Sequence, residues 1–188
     1  MRKMISIIGD SKIDEGGLKY RMAFETGKAL VDNGYRVASG GLGGVMEAAF
    51  LGAKSSKFYR EGDTVAILPM FDRTLASDAA DIVVATGLDI YRNVIVANSD
   101  AVIAIGGGAG TLSEMTNAWP LKRLMIAFSN VDGWSAKVAD TRLDHRIRYP
   151  EIEEDRIFGV TSADEAMAVL EKYLNLYTGT HSGIKRGD

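Results

Sequence analysis

An α/β fold, one domain with a parallel sheet of about seven strands and helices on both faces, is predicted by three observations. Short apolar runs alternate with amphipathic stretches along the 188 residues. The runs are apolar at consecutive positions, as expected of strands buried on both faces rather than one. Two of them pass through glycines into a helix-like stretch, at Ser39-Gly40-Gly41-Leu42-Gly43-Gly44-Val45-Met46 and at Ile105-Gly106-Gly107-Gly108-Ala109-Gly110-Thr111.

The elements follow in order. Met4 to Ile8 is an apolar run stopped by Gly9-Asp10-Ser11, a first strand. The next stretch sets Tyr20, Ala23, Phe24, Gly27, Leu30 and Val31 on one helical face and stops at Asn33-Gly34. Arg36 to Ser39 is the second strand, and its glycine loop opens a helix through Met46, Ala49, Phe50 and Ala53. Strands follow at 64–68 and 81–85, joined by a long loop with Pro69, Phe71 and Asp72. A helix is expected over 88–98, a strand at 101–105, and after the second glycine loop a helix with Leu112, Met115 and Trp119 on its apolar face. Strands at 124–128 and 156–160 complete the sheet. Ser162-Ala163-Asp164-Glu165 has the form of a capping box and starts a last helix bearing Ala166, Val169, Leu170, Tyr173 and Leu174. The stretch 131–155 reads as either a loop or a short helix, and the acidic run Glu151 to Asp155 as a solvated face. The domain is expected to span 1–177, with 178–188 a polar, disordered tail.

Composition narrows the function. With 22 Lys+Arg against 25 Asp+Glu the net charge is −3, which argues against a broad electrostatic grip on nucleic acid while leaving room for a local phosphate cradle. There is no cysteine, so disulfides, thiolate catalysis and Cys-zinc sites are excluded. His145 and His181 are the two imidazoles, and they lack metal-ligand spacing, so no metal site is expected. No apolar run approaches the roughly 20 residues of a membrane span, and the start does not have the pattern of a signal peptide. A cytoplasmic protein without membrane contact is expected.

The two glycine loops carry the chemistry. Glycines let the backbone approach a phosphate closely, and a helix start offers unpaired N–H groups and the positive end of the dipole. A dinucleotide fingerprint would place Gly-x-Gly-x-x-Gly after the first strand and an acidic residue after the second, and neither is present. The Gly-Lys-Ser/Thr triplet of a nucleotide triphosphatase loop is absent as well.

Gly106-Gly107-Gly108-Ala109-Gly110-Thr111-Leu112-Ser113-Glu114 resembles the Pro-Gly-Gly-x-Gly-Thr-x-x-Glu signature of the Lonely Guy family, once mislabelled lysine decarboxylases. Ser39 to Met46 is similar to that family's earlier Gly-Gly-Gly-x-x-Gly-Leu-Met segment, and the order of elements agrees along about 1–175. The resemblance implies a Rossmann-like sheet, a homodimer or homotetramer, and a nucleoside monophosphate site. Its enzymes hydrolyse the N-glycosidic bond of cytokinin-type nucleotides, with no cofactor required. A sister branch, the molybdenum cofactor carrier proteins, binds a molybdopterin without that hydrolysis.

Two departures lean toward the carrier branch. Gly106 stands where the enzymes have proline, and the enzymes' arginine falls on Tyr91 in an ungapped alignment, with Arg92 one position late and Asn93 in place of lysine. One residue on a helix is a turn of about 100°. The resulting candidates for ligand contact are Gly9, Ser11, Gly40, Gly41, Gly43, Gly44, Arg92, Asn93, Gly106, Gly107, Gly108, Ala109, Gly110, Thr111 and Glu114, with Glu114 and Arg92 as the catalytic pair if hydrolysis occurs. Thr111 is expected to combine an N-cap with a ligand contact. The expected cargo is an AMP-like nucleotide or the molybdenum cofactor, in a binding or carrier role. The alternatives are a nucleoside monophosphate phosphoribohydrolase and a nucleotide-sensing regulatory protein.

Overall fold

The computed structural model describes residues 1–181 of the chain. In it β1 (Met4–Gly9), α1 (Leu18–Asp32), β2 (Arg36–Ser39), α2 (Val45–Lys54), β3 (Thr64–Leu68), β4 (Ile82–Ala85), α3 (Asn93–Ala97) and β5 (Ala101–Ile105) lead to α4 (Ala109–Ala118). β6 (Leu124–Phe128), α5 (Trp134–Val138), β7 (Ile157–Val160) and α6 (Ala163–Tyr173) follow. Every strand pairing is parallel, and the strand order is β4-β3-β2-β1-β5-β6-β7. The chain thus builds outward from β1 to one edge, returns to β1 and builds outward the other way. That reversal opens a crevice beyond the carboxyl ends of β1 and β5, where open sheets of this class take their ligands.

Alternation along the strands divides the core. Ile5, Ile7, Val37, Ile103, Ile105 and Ile126 point to the face covered by α1, α2 and α6. Ile8, Ala38, Val102, Ala104 and Ala127 point to the face covered by α3, α4 and α5. The two-sided cover explains the unbroken apolar runs. α1 and α2 approach so closely that a Cβ at Gly27 would overlap the Ala49 carbonyl, and one at Gly52 the Phe24 carbonyl.

Several sequence expectations change. β4 is not buried on both faces: it is an edge strand, with Ile82 45% and Val84 44% exposed. The single helix expected over 88–98 is a 3-10 turn, Asp89–Arg92, followed by the short α3. In 131–155 the one helix is α5, and the rest is irregular. The acidic run is not wholly solvated, because Asp155 is buried against Arg148. Met115 and Trp119 lie in the core, as their place on an apolar helix face implies. At α6 the Ser162 hydroxyl accepts from Glu165 N–H, but the Glu165 carboxylate reaches Thr161 N–H at 2.6 Å, one residue before the box position. Toward the expected tail, Gly179 N–H donates to the Tyr149 hydroxyl at 3.0 Å, and 182–188 lie outside the described residues. Among the described residues no helix is long and apolar enough to cross a membrane.

Candidate ligand-binding site

The second glycine loop is divided in function. Gly106 and Gly107 have φ of +67° and +94°, which side chains disfavour and which proline, locked near −65°, cannot adopt. Their backbone is fully engaged by the protein. Gly106 N–H donates to Ser135 Oγ at 2.8 Å and Gly107 N–H to Asp10 Oδ2 at 2.9 Å. Their carbonyls accept from Ser135 N–H at 3.0 Å and Trp134 N–H at 2.9 Å. The next residues are free. Gly108, Ala109 and Gly110 are exposed at the start of α4, and a Cβ at Gly108 or Gly110 would meet nothing within 4 Å. The first bond of the helix is Leu112 N–H to the Gly108 carbonyl, so the N–H groups of 108–111 meet no acceptor among the described residues. Thr111 is the third residue of α4 rather than its cap, buried with its side chain against Gly107.

In the first glycine loop Gly40 and Gly41 are closed by packing, and Gly43 and Gly44 are half-buried. A Cβ at Gly40 would stand 2.5 Å from Arg92 Nη2, and one at Gly41, where φ is +76°, would stand 2.5 Å from Ala66 Cβ. Gly44 abuts the Asp10 carbonyl, and Gly43 faces the Ser11 carbonyl. From this segment Leu42 and Met46 line the crevice.

Between the two loops lies a cleft of about 310 Å³, lined by Gly9, Asp10 and Ser11 after β1, by Leu42 and Met46, by Arg92 and Asn93, and by Gly108, Gly110, Thr111 and Glu114 of α4. Arg92 Nη1 donates to Glu114 Oε1 at 2.6 Å, and both residues are buried. Burial pushes the Glu114 carboxyl above its ordinary range, opposed by the charge and hydrogen bond of Arg92. Arg92 Nε is buried without a partner. Asn93 Nδ2 donates to Ser113 Oγ at 3.2 Å. Arg92 is the last residue of the 3-10 turn Asp89–Arg92 and not part of a regular helix.

Sequence reasoning missed the groups that hold this arrangement together. Asp10 Oδ2 accepts from Gly107 N–H and from Lys19 Nζ at 2.7 Å, and the Asp10 carbonyl accepts from Val45 N–H at 2.9 Å. Lys19 also pairs with Asp132 at 3.0 Å. Asp10 therefore links the loop after β1 to the starts of α2 and α4. A charged residue directly after the first strand's terminal glycine was the available signal. Among the described residues no group of three His, Asp or Glu is placed to hold a metal ion.

Fold and cleft define a Rossmann-like α/β protein with a crevice at the topological switch point of its sheet. The chain belongs to the SLOG cluster4 family, whose model matches residues 2–167. An uncharacterized protein of Archaeoglobus fulgidus is 45% identical over 115 residues, 61% of this chain and 72% of the relative. The structure of the molybdenum cofactor binding protein from Rippkaea orientalis superposes with a TM-score of 0.73 at 26% identity, covering 91% of this chain and 96% of that one. The molybdenum cofactor carrier protein from Chlamydomonas reinhardtii gives 0.71 at 25% identity, covering 93% and 99%. These likenesses agree with the Lonely Guy and molybdenum-cofactor-carrier resemblance of the two glycine segments.

Proposed function

We propose that this protein binds a phosphate-bearing small molecule, a nucleotide or a molybdopterin-type cofactor, at the start of α4 and acts as its binder or carrier. One observation carries the reading: the N–H groups of 108–111 meet no acceptor among the described residues, and Gly108, Gly110 and Thr111 line a cleft of about 310 Å³. Helix starts of this kind suit phosphate, and the volume lies within the usual range for small-molecule sites. The likeness to the Rippkaea and Chlamydomonas proteins supports the molybdenum cofactor as cargo, and the left-handed Gly106, a position proline cannot fill, supports the carrier branch over the enzymes.

Titration calorimetry with AMP, and with molybdopterin-type cofactor released from a molybdoenzyme under anaerobic conditions, tests the reading. Gly108→Val is expected to weaken binding of the true ligand at least tenfold, about 1.4 kcal/mol. Equal affinities for the two proteins would take the start of α4 out of the site.

The contact between Arg92 and Glu114 at 2.6 Å supports a second reading, hydrolysis of a nucleoside monophosphate's N-glycosidic bond. A carboxylate beside the sugar and a cation are what such cleavage uses. Chromatographic assay of free adenine from AMP decides between the two. The carrier reading expects almost none over an hour. Release abolished by Glu114→Ala would establish the enzyme.

The same reading includes self-association. Ile90, Tyr91, Val94 and Ile95 expose an apolar surface beside Arg92 and Asn93, a cost that pairing with a second copy would relieve. Light scattering is expected to give a multiple of 20.3 kDa, and a monomer mass at micromolar concentration would refute it.

A further inference from the structure

We propose that Ser135 is a positioning residue of the cleft: it seats the start of α5 on the second glycine loop, and that seat sets the direction of the free donors at the start of α4. The inference rests on the reading of those donors as a phosphate site. Gly106, Gly107 and Gly108 follow one another with no side chain to anchor them, and glycine takes positive and negative φ about equally well. The loop is therefore held from outside. Ser135 is fully buried. Its hydroxyl accepts Gly106 N–H at 2.8 Å and donates to the carbonyl of Phe128, the last residue of β6, at 2.7 Å. Gly133, with φ of +118°, lets the chain pass so close that a Cβ there would stand 2.6 Å from the Gly106 carbonyl carbon.

The planar trans peptide turns this seat into an orientation, because the C=O of one residue and the N–H of the next point in opposite directions. Ser135 Oγ holds the peptide that joins Ile105 to Gly106. Ser135 N–H holds the next one through the Gly106 carbonyl at 3.0 Å, and Trp134 N–H the third through the Gly107 carbonyl at 2.9 Å. The N–H of that third peptide belongs to Gly108, the first of the donors without an acceptor among the described residues. With the Gly107 carbonyl held by α5, Gly108 N–H points away from α5, and Gly108 lines the cleft. Were the seat lost, a flip of this peptide would put a carbonyl oxygen where the N–H stood, and an anion would meet an acceptor in place of a donor. An independent mark of the cleft is Arg92 Nε, buried without an acceptor in a residue that lines it.

The test titrates inorganic phosphate into the 15N-labelled full chain at constant ionic strength and follows the amide signals of 108–111. Ser135→Ala is expected to weaken phosphate binding about fivefold or more, because the donors are no longer pre-organised. Thr64→Val is the control. The Thr64 hydroxyl is likewise fully buried, donates to the Ala79 carbonyl and accepts Asp81 N–H, but it lies at the start of β3, the opposite end of the sheet. This variant should lower the melting temperature and leave phosphate affinity within about twofold of wild type. Equal affinity in wild type and Ser135→Ala, or an equal loss in both variants, overturns the proposal and leaves the phosphate reading standing. Hydrogen exchange of wild type supplies a check that needs no variant: Gly106 and Gly107 N–H should be protected with or without phosphate, and Gly108 N–H only with it. Exchange at Gly106 as fast as at Gly108 in the free protein also overturns the proposal. A wild type whose 108–111 signals do not respond to phosphate overturns the phosphate-site reading itself, and this inference with it.

Discussion

Arg92 and Arg148 are both almost completely buried, at 8% and 4% exposure, and each faces a carboxylate, yet their surroundings differ in kind. Arg148 holds Asp155 through two bonds, Nε to Oδ2 at 3.0 Å and Nη2 to Oδ1 at 2.5 Å. Its Nη1 donates to the carbonyls of Trp119 and Arg123, and its guanidinium lies 3.6 Å from the Trp119 ring centroid. Tyr177 donates to the same carboxylate at 2.7 Å. Arg92 makes one bond to Glu114 and leaves Nε without an acceptor at the wall of a cleft. A buried charge with its shell complete fastens parts of the fold together, here the segment that ends α4, the irregular stretch before β7 and the segment after α6. A buried charge with its shell incomplete beside an opening leaves a donor that, on the proposed reading, a ligand would complete.

The comparison breaks most visibly at Arg148. Arg148→Met leaves Asp155 buried without its counter-ion, and should cost about 3–5 kcal/mol in urea denaturation while ligand affinity of the folded fraction stays unchanged. A loss under about 1 kcal/mol would mean that Asp155 finds water or another partner.

Arg92→Met should cost less, about 1–3 kcal/mol at pH 8, and ligand binding should fall with it. The stability loss depends on pH. Burial holds the Glu114 carboxyl above its ordinary range, so its contribution to folding is full at low pH and is lost as pH rises through its folded-state pKa. Removing Arg92, which opposes that shift, enlarges the loss at high pH. The difference between the two proteins should therefore shrink as the pH is lowered past the Glu114 titration. A difference constant from pH 5 to 8 would contradict this.

The glycine loops sharpen the same contrast with smaller effects. Gly41→Ala places a Cβ on a left-handed residue packed against Ala66 and should cost about 1–2 kcal/mol or more. Gly108→Val enters open space at an ordinary φ of −99° and should change stability by less than about 1 kcal/mol, while on the proposed reading its side chain would stand in the ligand's way. Thermal melts of the two variants side by side check this, and a larger destabilisation at Gly108 would contradict the division of the loops.

The sheet was legible in the chain because a parallel strand covered on both faces must be apolar at consecutive positions, and 64–68, 101–105 and 124–128 match β3, β5 and β6 residue for residue. The two strand-to-helix glycine junctions were legible for a similar local reason, and the cleft proposed as the site lies between them. Local sequence did not disclose which glycines were open. Gly40, Gly41 and Gly44 are matched to Arg92, Ala66 and Asp10, and Gly106 and Gly107 to Ser135 and Asp10, while Gly108 and Gly110 line the cleft.

Composition, the α/β order of elements and the two helix starts were thus determined by the sequence alone, since each depends on neighbours within a few residues. Tertiary structure alone decided that Asp10 meets Gly107, 97 residues away, that Arg92, at the end of a 3-10 turn, meets Glu114, and that Asp155 leaves an acidic run for a buried pair. Those contacts depend on how far each strand extends and on the phase in which each turn ends. A hydrogen bond is gained or lost over fractions of an ångström, a precision that residue patterns specify only once the chain has packed.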